Sequence, residues 1–361
     1  MIRLCLAIHS LQMGGMERVM SELATYLCKQ SNNEVHLVMY GLDPVIFYSL
    51  HDNIHIHKPS FTFNNNLRFI YTLKTLLFIR RKINQIRPDS ILNFGEYFNS
   101  LLLVALLGKK FPVYISDRCQ PNKNLGIIHN LLRKSLYPKA MGVIVQTDAA
   151  KEIYKRMVPK AKLSVIGNPI RAIAATSQIK KENIVLTVGR LIESKHHDHL
   201  IELFVKLDMP DWKLIIVGDD ALRQKNREKL EYLILRLKFG DRIILAGAQE
   251  NVDEYYLKSK VFAFASSSEG FPNVIGEAMS AGLPVVAYNC IAGPSELIQD
   301  GMNGFLVPLY ESELFRHRLC SLMQDSNLRE KLGNEARESV KRFSVNTICE
   351  KYNLTLTNNL M

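Results

Sequence analysis

Short apolar runs alternate with amphipathic stretches along this chain. Six runs mark the first half, at residues 4–8, 35–40, 90–94, 113–116, 142–146 and 163–166. Six more mark the second half, at 184–188, 213–217, 242–245, 261–265, 284–287 and 304–307. Runs of this length read as buried strands and the stretches between them as covering helices. The pattern therefore predicts α/β layers on parallel sheets. Two such series predict two doubly wound domains, residues 1–168 and 169–343. Gly167-Asn168-Pro169 is a turn signal at the junction, and a polar stretch from Thr176 to Lys181 follows it. After Phe343 the helical period returns with Val345, Ile348, Cys349 and Tyr352.

Composition bounds the class. A chain of 361 residues is long enough for two separate cores. Apolar content of 47% and charge of 22% are ordinary for a globular protein. The six cysteines are scattered without a C-x-x-C, which fits reduced thiols in the cytoplasm better than disulfides or a zinc site. The first apolar run leads into a Gly-Gly turn, not a cleavage site, so no secretory leader is expected. The apolar stretch 101–108 is far too short to span a bilayer.

Charge adds a partner. Residues 1–170 hold 22 Lys and Arg against 10 Asp and Glu, while residues 171–361 hold 24 against 25. The excess of +11 therefore lies in the first half, which suggests an anionic partner there. No nucleic-acid-binding motif is present, so an anionic membrane surface or a lipid-linked pyrophosphate fits better than nucleic acid. The expected location is cytoplasmic, peripheral on the inner face of the cytoplasmic membrane.

The stretch from Ser266 to Ala287 carries the strongest chemical signal. It sets two carboxylates, Glu269 and Glu277, around a strand-to-helix junction. Phe271-Pro272-Asn273 punctuates the chain as helix starts do, and a helix from about Val274 puts Glu277 near its first turn. Such a helix end attracts phosphate, because its unpaired N–H groups and its dipole both favour negative charge. The two carboxylates can then grip the hydroxyls of a sugar and a ribose flanking that phosphate. Two solvated glutamates beside a cap would be the plain reading of an isolated pair.

Other strand ends carry further candidates. Gly14-Gly15 follow the first run and open a helix with Val19, Met20, Leu23 and Leu27 on one face. Glycine allows a ligand close to the backbone, and a tight turn needs it equally. Arg190 and Lys195 follow the run 184–188. Arg offers a planar fork for phosphate oxygens, while Lys offers a point charge.

Taken in order, Gly14-Gly-Met-Glu-Arg18, Gly189-Arg190 with Lys195, Val217-Gly218-Asp219, Ala246-Gly247, Glu269 to Glu277 and Gly301-Met-Asn-Gly304 resemble one family. It is the GT4 family of retaining, nucleotide-sugar-dependent glycosyltransferases, and the resemblance covers nearly the whole chain. It implies the GT-B fold: two Rossmann-like domains facing across a cleft, with a last helix, roughly 344–361, crossing back to the first domain. It assigns Glu269 to the donor sugar and Glu277 to the ribose. Arg190, Lys195 and the backbone of Gly270, Phe271, Pro272, Asn273 and Val274 would hold the diphosphate. Gly15, Gly189, Gly218, Asp219 and Gly247 would lie beside the nucleotide. Gly14, Glu96, Asp117 and Arg118 would serve the acceptor, with Asp117 orienting its hydroxyl.

The resemblance further implies a UDP-sugar donor, no cofactor, and no metal. Cys290-Ile-Ala-Gly-Pro-Ser-Glu296 is similar to bacterial members that use UDP-N-acetylhexosamine or UDP-galactose, and N-acetylgalactosamine is favoured. The implied acceptor is a polyprenyl-diphosphate-linked glycan. One departure stands out: His196 follows Lys195 where a small residue, often glycine, is common.

Three further features need weighing. Residues 67–83 read as a basic amphipathic helix with Arg68, Lys74, Arg80 and Arg81 among leucines and aromatics. Its apolar core suits a crossover helix on the sheet, and its basic end suits a membrane interface. His196-His197-Asp198-His199 invites a metal, yet adjacent histidines on a helix point apart. Asp219-Asp220 is not a D-x-D, and Asp219 can serve simply as a helix cap. Rival readings are an inverting enzyme or sugar-nucleotide epimerase, a nicotinamide-dependent oxidoreductase, and a scaffold with a dead donor site. The oxidoreductase lacks its G-x-G-x-x-G after the first run.

Overall fold

The structure is a computed structural model that describes residues 1–41, 46–174, 179–221 and 224–358. Thr176 to Gln178 of the polar junction stretch, and residues 359–361 of the last segment, lie outside the described residues. The chain divides into two compact units, Met1–Pro169 with Val345–Met361, and Ile170–Ser344.

The first unit runs β1 (Ile2–Ile8), α1 (Gly15–Cys28), β2 (Asn33–Met39), β3 (His55–His57), α2 (Arg68–Ile86) and β4 (Ser90–Phe94). It continues with α3 (Glu96–Ala105), β5 (Val113–Ser116), α4 (Ile127–Leu136), β6 (Gly142–Val145), α5 (Asp148–Met157) and β7 (Leu163–Val165). Its strands make one sheet in the order β3-β2-β1-β4-β5-β6-β7, every pair parallel. Leu4 to Ile8 of central β1 are fully buried, which is why the run is apolar without alternation. The sequence pattern misses β3. It is three residues long at the sheet edge, with Ile56 41% exposed between two histidines, so burial wrote no apolar run there.

The second unit runs β8 (Ile184–Val188), α6 (His197–Val205), β9 (Lys213–Val217), α7 (Asn226–Leu237), β10 (Ile243–Gly247) and α8 (Val252–Lys258). Next come β11 (Val261–Phe264), α9 (Asn273–Ser280), β12 (Val285–Asn289), α10 (Pro294–Leu297), β13 (Phe305–Pro308), α11 (Ser312–Gln324) and α12 (Ser326–Val340). Its parallel sheet has the order β10-β9-β8-β11-β12-β13. Phe204, Trp212, Leu214, Ile216, Phe315 and Leu319 are among its core.

The last helix, α13 (Val345–Thr357), packs within the first unit. It buries Ile348, Cys349, Tyr352 and Leu356. Tyr26 of α1 donates to Glu350 at 2.8 Å, and the Tyr352 ring lies 6.2 Å from that of Phe94.

Strand order reverses once in each sheet, between β1 and β4 and between β8 and β11. Connections leave in opposite directions at such a point and open a crevice at the carboxyl ends of the strands, where ligands of these folds bind.

Candidate active site

In the second unit the expected donor residues gather at this reversal. Gly189, Arg190 and the 3-10 turn Glu193–Lys195 follow β8, and Glu269 to Val274 follow neighbouring β11. Lys195 Nζ lies 2.6 Å from Glu269 Oε1, with the two side chains only 16% and 12% exposed. The ammonium also sits 5.0 Å from the Phe264 ring centre. Gly293 packs beneath: a Cβ there would lie 2.9 Å from Glu269 Cβ and 3.1 Å from Pro272 Cδ. Burial and the Glu269 charge push the neighbouring Cys290 thiol up to about 12, so it stays protonated. Arg190 is exposed, and its side chain makes no ion pair among the described residues.

The helix after Pro272 starts one residue earlier than expected, at Asn273. The Val274 N–H of its first turn has no acceptor among the described residues. Glu277 consequently falls in the second turn. It is 8% exposed, accepts from the Tyr256 hydroxyl at 3.0 Å, and lies 3.7 Å from Arg171 Nε. Arg171 also pairs with Asp253. Tyr256 and Arg171 escaped the sequence reading, because nothing in their local sequence marks them as partners of Glu277.

Three glycine loops are stitched together beside this site. Gly189 N–H donates to Val217 O at 2.9 Å, and Gly218 N–H to Gly247 O at 2.8 Å. Asp219 does not cap the following helix. Its neighbour Asp220 does, accepting from the N–H of Asn226 at 2.8 Å and of Arg227 at 3.3 Å. Asp219 instead accepts from the Asp220 N–H.

The first unit's reversal holds Gly14 and Gly15 after β1 and Glu96 after β4. Gly14 N–H donates to the Tyr48 hydroxyl at 3.0 Å, and Glu96 lies 3.6 Å from Lys123. His9, missed by the sequence reading, belongs here. Its ring stacks on Phe98 at 4.6 Å, and Nε2 is 3.6 Å from Glu17. A polar residue directly after the β1 run was the available signal.

Two acceptor-side candidates, Asp117 and Arg118, sit among partners in the first unit. Asp117 is 5% exposed and already fully engaged. It accepts from Asn99 at 2.7 Å, from Tyr137 at 2.6 Å and from Tyr154, and it pairs with buried Arg133 at 3.1 Å. Three hydrogen-bond donors and the Arg133 charge surround it in the core, where burial raises its pKa and the Arg133 charge works against that rise. Arg118 is likewise occupied: it donates to Asn168 at 2.6 Å and Tyr352 at 2.8 Å, and lies 3.4 Å over the Phe94 ring. On α2, Arg80 Nη1 donates to the carbonyls of Ala105 and Leu107 at 2.9 Å, at the end of α3. Arg68, Lys74 and Arg81 remain exposed, with Lys74 over the Tyr71 ring.

Known proteins decide the family. The model for glycosyltransferase family 4 matches residues 13–172, and that for glycosyl transferases group 1 matches residues 169–339. The chain is a glycosyltransferase, with a family-4 domain followed by a group-1 domain. A relative in Campylobacter jejuni is 28% identical over 98% of this chain and 97% of its own length. That relative is a GalNAc-α-(1→4)-GalNAc-α-(1→3)-diNAcBac-PP-undecaprenol α-1,4-N-acetyl-D-galactosaminyltransferase. An amylovoran biosynthesis glycosyltransferase of Erwinia amylovora is 28% identical over 94% of this chain and 95% of its own. Among solved structures, Anabaena HepE in complex with UDP and glucose superposes with a TM-score of 0.81 at 19% identity, over 99% and 100% of the chains. The two Rossmann-like sheets are therefore those of a GT-B glycosyltransferase.

The glycosyltransferase's histidines 196, 197 and 199 reach three different partners. His196 lies 2.7 Å from Ser267 Oγ, His197 3.3 Å from the Arg190 carbonyl, and His199 2.8 Å from the Tyr288 hydroxyl. Among the described residues no group of three His, Cys, Asp or Glu could hold a metal ion.

Burial lowers the His197 pKa to about 4. Since the unfolded value is about 6.5, folding favours the neutral ring. Its contribution is complete above about pH 6.5 and is lost as pH falls toward 4, a change of about 3 kcal/mol. Urea unfolding of the wild type should show this slope, and His197→Gln should flatten it. A second test concerns Gly218, whose φ is +142° and whose added Cβ would lie 2.0 Å from Gly189 O. Gly218→Ala should destabilise the second unit by about 2–4 kcal/mol, read by thermal melting.

Proposed function

We propose that this glycosyltransferase transfers an N-acetylhexosamine, first N-acetylgalactosamine, from its UDP-sugar to a polyprenyl-diphosphate-linked glycan, with retention and without a metal. It would act in bacterial surface polysaccharide biosynthesis. The observation that carries the reading is the Lys195–Glu269 pair at the β8/β11 reversal, beside the start of α9. A cation for phosphate and a carboxylate for sugar hydroxyls meet where family-4 enzymes need both. The names of the Campylobacter and Erwinia relatives support the acceptor class and the pathway type.

In this mechanism Lys195, Arg190 and the Val274 N–H hold the diphosphate, while Glu269 orients the sugar. The bond from the anomeric carbon to the phosphate oxygen breaks, and its electron pair stays on that oxygen. The acceptor hydroxyl attacks from the same face, and its proton passes to the departing phosphate oxygen, so no strong protein base is required. Fixed cations in a water-poor site stabilise the developing charge. UDP-galactose or UDP-glucose would serve the same chemistry. The test is a donor screen with UDP-GalNAc, UDP-GlcNAc, UDP-Gal, UDP-Glc and GDP-mannose, with and without EDTA. One UDP-sugar responding regardless of EDTA supports the reading, and NMR of the product anomer decides retention. An inverted anomer would end this mechanism.

The acceptor's lipid places the first unit at a membrane. On α2, Phe69 and Leu77 are 76% and 53% exposed, and on α4 Ile127, Ile128 and Leu131 are 81%, 72% and 60% exposed. Both helices pack against α3. Apolar side chains rimmed by Arg68, Lys74 and Lys134 suit an anionic bilayer surface. Ile128→Glu should weaken binding to phosphatidylglycerol vesicles about tenfold in sedimentation. Unchanged binding would rule this face out.

A further inference from the structure

We infer that His196 is a positioning residue that ties the Lys195 loop to the Glu269 loop and keeps their separation fixed during turnover. The inference rests on the donor-site reading above. His196 stands between the 3-10 turn Glu193–Lys195 and the first residue of α6. Its backbone is left-handed, at φ +48° and ψ +44°. Glycine adopts this region freely, whereas a residue with a Cβ is strained in it. The local turn alone therefore favours glycine, and the histidine's advantage lies in its side chain.

That side chain reaches the other loop. His196 Nε2 lies 2.7 Å from Ser267 Oγ. With the proton on Nε2, the ring donates to Ser267, whose own hydroxyl faces the Ser194 carbonyl at 3.5 Å. Two further bonds end on that carbonyl, from the Ser267 N–H at 2.9 Å and the Ser266 hydroxyl at 3.0 Å. The Tyr310 ring meets His196 edge-on at 6.0 Å. The loops are joined on both sides of Lys195, at Ser194 and at His196.

The join does what the Lys195–Glu269 pair cannot do. On donor binding that pair has to open, because Lys195 turns to phosphate and Glu269 to the sugar. The His196–Ser267 bond lies next to the pair but involves neither of its two side chains, so it has no reason to open with it. It holds the two chain segments in register while the charges change partners, and so keeps the phosphate cation and the sugar carboxylate aligned on one donor.

The experiment compares wild type, His196→Gly, Ser267→Ala and the double variant by thermal melting, UDP titration calorimetry and UDP release from the responding UDP-sugar. His196→Gly should melt within a few degrees of wild type, since glycine takes the left-handed turn without strain. Its UDP affinity should stay within about threefold, while kcat falls about 10- to 100-fold, as misplacement of reacting groups produces. Ser267→Ala should lose a similar factor and the double variant no more, as two ends of one link do. A kcat for His196→Gly within about twofold of wild type overturns the inference, because a backbone role alone would be satisfied by glycine. Fully additive losses overturn it too. A wild type that neither binds UDP nor turns over any UDP-sugar overturns the donor-site reading instead, so the two failures are distinguishable.

Discussion

Lys195→Ala is expected to lower kcat for sugar transfer by about 10²- to 10³-fold, the usual loss when one preorganised charge-stabilising group is removed. The Lys195 ammonium is largely withdrawn from water, 2.6 Å from Glu269 and above the Phe264 ring. In such a place a cation is poorly screened, so it acts strongly on a diphosphate that gains charge as the glycosidic bond breaks. Its loss also leaves Glu269 without its partner, and an unpaired carboxylate beside the diphosphate repels it. The two harms combine, and UDP affinity should fall with kcat. Glu269→Gln separates them. It keeps the shape and removes the charge, so it should impair transfer while UDP binding is held or improved. Initial rates of UDP release and UDP titration calorimetry give both quantities. Transfer by Lys195→Ala within about threefold of wild type would remove Lys195 from the mechanism.

Asp117→Ala is expected to be the most damaging single change to the fold of the first unit, at about 3–5 kcal/mol. The side chain of Arg133 is 1% exposed, and Asp117 is its counter-charge at 3.1 Å. Truncation leaves a buried guanidinium without compensation and strips the Tyr137 and Tyr154 hydroxyls and the Asn99 amide of their acceptor. A melting-temperature drop of roughly 10 °C follows for a unit of this size. Replacing both charges, Asp117→Leu with Arg133→Met, should recover much of the loss, because paired removal leaves no orphaned charge. If Asp117→Ala melted like wild type but failed to use acceptor, the buried-carboxylate assignment would fall and the acceptor role first expected for this residue would return.

How legible the molecule was depends on what wrote each signal. Central strands such as β1 and β8 are buried on both faces, so burial demands an unbroken apolar run there. Edge strand β3 carries no such demand and left no mark. Strand-end glycines were legible where backbone must approach backbone, as at Gly218 against the Gly189 carbonyl. The extent of α9 shifted by one residue, since a cap is a geometric outcome of Pro272 and Phe271 and not a fixed string. The partners of Asp117 and Arg118 were not legible, because a polar pair after a strand looks the same whether it faces ligand or core. Asn99, Arg133, Tyr137 and Tyr154 decide Asp117, and Asn168 and Tyr352 decide Arg118.

By itself, then, the sequence determined the layered α/β architecture, the two parallel sheets and the residue types offered at each strand end, because period, burial and turn chemistry are local. Tertiary structure alone decided which of those residues meet. Lys195 and Glu269 become a pair because the sheet order sets β8 against β11. Glu277 is pinned by Tyr256 and Arg171, and His196 reaches Ser267 across the same strand boundary. Pairing across long sequence separations depends on strand order and on side-chain direction, and neither is encoded in the local pattern of any one segment.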